Sequence, residues 1–202
     1  MLPGLHPALK HFIIYLALPL MVVVSHFLYF MVLMRASGKR LTVSLLNMLV
    51  YPTGMSAKVS FVFALVAGKD ISHWLTAVTA GVAGYYLSLL LSFVPFLAPI
   101  FREFDMEFFL LAMGCALGSL HPTPKHFFTS AGSILINNLT PLVISFMVAM
   151  ACSYLVKLQT RGLFASKDKR EILKTASLIF SVSAGIVSIP VAVFFMRAYL
   201  KM

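Results

Sequence analysis

Lys58 is the residue whose surroundings most demand a chemical role, because it is the one charge in the apolar run from Leu41 to Ala67. An ionised lysine at the centre of a bilayer costs about 2.5 to 3.5 kcal/mol on insertion scales, so something must offset it. Its four-carbon stem can carry the ammonium to a lipid headgroup, in which case the residue marks depth. Alternatively the ammonium faces a polar cavity and holds an anionic substrate, a lipid phosphate or a carboxylate from a partner. The chain's own apolar runs offer no counter-ion: Asp70, Glu103, Asp105, Glu107, Asp168 and Glu171 all fall in connecting segments. A carboxylate proton relay within the membrane is thereby excluded unless another chain supplies it.

Amides form the second candidate group. Asn137, Asn138, Thr140 and Pro141 lie together in one apolar segment, and Asn47 precedes Pro52 in another. Proline removes a backbone donor and clashes one turn back, so carbonyls beside it are freed to bind something else. Two amides next to such carbonyls resemble the donor set of a midplane ion or solute site, whereas the structural alternative is interhelical hydrogen bonding. Lys58, Asn47, Asn137 and Asn138 are therefore the candidate substrate-binding residues. The paired Asn and Pro positions also suggest an inverted repeat of two three-span halves, although no direct repeat is evident.

Histidine and cysteine supply less. His6, His11, His73, His121 and His126 all fall outside the apolar runs and, in the topology derived below, on one side of the membrane. Five imidazoles on one face could sense pH, hold a metal, or serve as acid and base in a lipid-processing enzyme. No HExxH motif or zinc-type spacing accompanies them, so neither a metal nor a cofactor is expected. Cys115 and Cys152 sit singly in apolar surroundings and read as small packing residues. The serines and glycines form no GxSxG elbow, Walker loop or Rossmann fingerprint, which argues against a serine hydrolase, an ATPase and a dinucleotide enzyme.

The elements that must position these residues follow from composition. The chain has 202 residues, of which 60% are hydrophobic and 11% charged, far from the roughly 25% charged content of soluble domains. Its formal charge of +10 resides in short segments between apolar runs, which points to topology and lipid headgroups, not nucleic acid. The expected fold is all-α: a single polytopic transmembrane domain over residues 1–202, built as a six-span helical bundle. The spans are placed at about 12–34, 41–67, 74–100, 106–120, 134–156 and 176–196, with the second and fifth segments interrupted by their prolines. Residues 121–133, containing Pro122 and Pro124, read as a loop. The fourth run is short for a crossing and could instead be re-entrant.

Counting basic residues chooses between those alternatives. With six spans and both termini on the non-cytoplasmic side, Arg35, Lys39, Arg40, Arg102, Lys157, Arg161, Lys167, Lys169, Arg170 and Lys174 face the cytoplasm. Only Lys10, Lys69, Lys125, Arg197 and Lys201 lie outside. Removing the fourth crossing would place the two most basic loops on opposite sides and erase this bias. Close helix contact is expected at Gly81 and Gly84, at the GxxxG pair Gly114 and Gly118, and at Gly185 on the sixth span.

The functional expectation is a non-enzymatic role in transport, foremost as a membrane-embedded subunit of a larger transport or translocation complex. The expected partners are the lipid bilayer and other membrane subunits or further copies of the chain, with no nucleic acid. A small stand-alone carrier or channel is the alternative, for which Lys58→Ala or Asn138→Ala should abolish solute uptake. A membrane enzyme acting on a lipid is the third reading. In the subunit reading, leucine at Gly114 or Gly118 is expected to disturb association first.

Overall fold

The computed structural model describes residues 6–17, 20, 21, 23, 24, 28, 50–67, 70–103, 106–137, 139–160, 190, 191, 193 and 194. Among them are seven α-helices: α1 (Pro7–Phe12), α2 (Tyr51–Ala67), α3 (Ile71–Leu91), α4 (Ala98–Glu103), α5 (Met106–Gly118), α6 (Pro124–Asn137) and α7 (Leu139–Thr160), with a π-helical stretch, Ile13–Ala17, continuing α1. The protein is all-helical across these residues. One helix, α3, is long and apolar enough to cross a membrane, or two if the bent pair α6 and α7 is taken as one span. Most of the first and sixth expected spans, Asn47, Asn138, Gly185 and the basic stretch 161–174 lie outside the described residues.

The fold is organised around α5. Its sequence, MEFFLLAMGCALG, is apolar all round apart from Glu107, which was expected in a connecting segment and instead lies in the first turn, and a helix of that kind has little face to give to water. At about 1.5 Å per residue its 13 residues reach only about 20 Å, well short of a 30 Å hydrocarbon layer. Its ends therefore need protein around them. Nine of the 13 residues are buried, including Met106, Phe108, Leu111 and Cys115, and α5 packs against α2, α3, α4, α6 and α7. Beyond Gly118 the chain keeps turning, with the amides of Ser119, Leu120 and His121 donating to the carbonyls of Cys115, Leu117 and Gly118. That satisfies the carbonyls a helix end leaves over.

Several sequence-based boundaries are corrected. Pro52 and Gly54 lie at the beginning of α2, directly after a π-helical residue at Val50, so the irregularity expected near Tyr51 to Gly54 is a change from π- to α-helix at Val50 and Tyr51, and not a break inside α2. The third segment stops at Leu91, not Ile100: Ser92 caps α3 and residues 92–97 form turns before α4. Pro95 accounts for this, since it disfavours helix at Val94 and has no N–H to give to the Leu91 carbonyl, while Pro99 sits in the first turn of α4.

The largest correction concerns residues 121–133, expected as a loop, which contain most of α6. Pro124 is its first residue, and the Thr123 hydroxyl accepts from the His126 amide at 3.3 Å as an N-terminal cap. The prolines start a helix here. α6 then bends by 84° into α7 across residue 138, so the fifth segment is interrupted ahead of Pro141, which falls in the first turn of α7.

Candidate functional site

Two clusters carry the polar chemistry of the described residues, one in the helix interior and one at the end of the bundle where α3 and α6 begin. The interior cluster lies where α2, α3 and α5 meet. Gly81 of α3 touches both neighbours: a methyl group at that position would stand 2.8 Å from the Ser56 hydroxyl oxygen and would collide with the Cys115 sulfur. The Cys115 thiol donates to the Ser56 carbonyl at 3.6 Å, and Ser56, Ser60 and Cys115 are all fully buried. Small residues are what allow three helices to approach this closely.

The glycines extend that junction along the α3 and α5 pair. A methyl group on Gly84 would overlap the Leu110 carbonyl, and one on Gly114 would overlap the Ala80 carbonyl. At Gly118 it would come within 2.8 Å of the Ala77 Cα. Gly81, Gly84, Gly114 and Gly118 thus fall in one intramolecular seam. Those faces are covered by α3 of the same chain, so leucine at Gly114 or Gly118 would strain this seam directly.

The candidate substrate-binding residues are placed differently. Lys58 and Asn137 are both exposed, and nothing among the described contacts brings them together. Lys58 projects from the middle of α2; Ser56, Ser60 and Phe63, about 140 to 160° round the helix from it, are buried, and so are Met55 and Val62, a turn to either side of it. Next to it, the Ala57 carbonyl accepts the Trp74 indole N–H at 3.0 Å, tying α2 to the first turns of α3. Asn47 and Asn138 lie outside the described residues.

The second cluster gathers histidines that the sequence had placed on one side. His121, in the turn after α5, and His126, in the first turn of α6, face each other through Nδ1 atoms 2.9 Å apart, with ring centroids at 5.1 Å. One ring must donate and the other accept. The Nε2 of His121 is buried without a partner, so a hydrogen there would be an unpaired buried donor. The tautomer that avoids this places the shared hydrogen on His121 Nδ1 and leaves exposed His126 as acceptor. Burial lowers the His121 pKa, and the charges of His126 and then His73 lower it further. His73 itself contacts the Ser72 hydroxyl through Nδ1 at 3.4 Å.

This group can share and exchange a proton. Among the described residues no set of three or more His, Cys, Asp or Glu is arranged to hold a metal ion. The sequence missed the His121–His126 contact because it read the intervening residues as loop; the Thr123–Pro124 helix start was the available signal, since it puts His126 a fixed three residues past the cap. Compared with protein families, curated proteins and solved structures, the chain matches none.

Proposed function

We propose that the protein is a six-crossing membrane protein, with both termini on the non-cytoplasmic side, that acts without catalysis as a membrane-embedded subunit of a larger transport or translocation complex. The observation that carries this reading is the exposure of Lys58 in the middle of apolar α2. A self-contained carrier would turn the Lys58 charge and its amides toward a common interior site, yet Lys58 and Asn137 are both exposed. An outward ammonium on an apolar helix is offset by a headgroup or by the carboxylate of another chain. Nearby Phe61 is 61% exposed, which provides an apolar surface beside the charge for a partner helix to cover.

The six-crossing arrangement draws support from the positive-inside count and from the enclosure of α5. A 13-residue helix wrapped by five others can serve as a crossing because its ends meet protein, not lipid. The test is a photocrosslinker installed at Phe61 in the full-length chain in its native membrane. The expected result is a discrete adduct with a second protein species. Adducts with lipid alone would overturn the subunit reading.

A further inference from the structure

We propose that α6 is an interfacial helix, lying in the headgroup layer on the outer face with its basic side toward lipid phosphates. This inference rests on the membrane reading above and gives α6 one occupant for its uncovered surface, the bilayer interface.

At about 100° per residue, the side chains of α6 sort into three sectors. Phe127, Ser130, Ala131 and Ile134 share one sector, in which Phe127 is buried and the other three are partly covered. It packs into a cluster with Ala80, Leu117 and Leu142. Next around the helix come Phe128 and Leu135, exposed at 52% and 38%. The remaining arc holds Lys125, His126, Thr129, Ser133 and Asn137, all exposed, together with one exposed apolar residue, Ile136, in the last turn beside the bend into α7. A helix in water needs only two such sectors, and a helix crossing a bilayer cannot leave a lysine and four other polar residues on a lipid-facing arc. Three sectors, facing protein, hydrocarbon and water, fit the boundary between phases.

Orientation agrees. α7 has 22 residues, about 33 Å at 1.5 Å per residue, which is the length of a crossing. Because α6 departs from it at 84°, an α7 that crosses leaves α6 close to the membrane plane. Charge agrees as well: α6 carries Lys125 and no acid, a balance complementary to phosphates. Phe127 and the His121–His126 contact pin its first turn to the bundle.

The experiment uses the full chain with Trp74→Phe, leaving one introduced tryptophan, in nanodiscs of phosphatidylcholine and phosphatidylglycerol brominated at shallow or deep acyl positions. Phe128→Trp should be quenched at least about twofold more by shallow than by deep bromines, and Ser133→Trp by aqueous acrylamide and not by bromines. With the chain alone in the disc, so that no partner covers it, Phe61→Trp on α2 should be quenched most by deep bromines. Deep quenching at position 128 would overturn the proposal in favour of a re-entrant or crossing α6, and acrylamide quenching at 128 without bromine quenching would overturn it in favour of a helix in water. Failure of bromines to quench position 61 as well would overturn the membrane reading along with it.

Discussion

At the scale of single residues, the seam between α3 and α5 makes opposite predictions for glycines that composition cannot tell apart. Gly114→Ala and Gly84→Ala would force a methyl group onto a backbone carbonyl, and overpacking of this kind costs about 1 to 3 kcal/mol. Gly132→Ala meets nothing within 4 Å and should instead stabilise by up to about 1 kcal/mol through helix propensity. Thermal unfolding of the three variants in nanodiscs checks the sign of each. Cys115, fully buried against Ser56, should react with a maleimide at least about a hundredfold more slowly in the folded chain than after denaturation, measured in a Cys152→Ala background. A third prediction concerns pH. Because the folded chain lowers the His121 pKa below its ordinary 6.5, the unfolded chain takes up that proton first as pH falls. Stability is therefore complete above the ordinary histidine range and declines as pH drops through it, until folded His121 also protonates. Unfolding midpoints at pH 7.5 and 5.5 should differ in this direction, and His121→Gln should reduce the difference. An undiminished difference in that variant would assign the slope to other groups.

Elements were legible where a single physical rule dominated and obscure where two competed. The uniform apolarity of Met106–Gly118 announces a buried helix, and its shortness raises the question of its ends; α5 answers with surrounding protein. Gly81, Gly84, Gly114 and Gly118 could be read as contact glycines from spacing, but nothing in the spacing says whether the opposing helix belongs to the same chain. Prolines were read unevenly. Pro141 falls just after the 84° bend, where the sequence anticipates an interruption, whereas Pro124, read as part of a loop, opens α6, where the missing N–H is harmless, so it marks a start. At Pro124 the signal was present in Thr123, whose hydroxyl caps the helix. Its removal by Thr123→Val should cost about 1 kcal/mol and raise hydrogen exchange selectively in the first turns of α6. Equal exchange in variant and parent would mean that Phe127 alone holds this end.

For the whole molecule, composition bears on the solvent more directly than on any role. A chain with 60% hydrophobic and 11% charged residues cannot be covered by its own polar surface, and the many exposed large apolar side chains, among them Phe61, Leu90, Phe93 and Ile136, call for lipid or protein around it. Lys58 distinguishes these. The charge was visible in the sequence, but its direction was not, because Lys58 is the lone charge on a helix whose polar and apolar residues show no period that tells inward from outward. Its exposure moves the account from a solute site within the chain to a contact made with something outside it. The most direct test is the mass and composition of the chain extracted from its native membrane in nanodiscs. A subunit should emerge with other proteins in fixed stoichiometry, and Lys58→Glu should weaken that association by about tenfold or more through charge reversal. Recovery of the chain by itself, as a monomer or homo-oligomer with only lipid attached, would contradict the account.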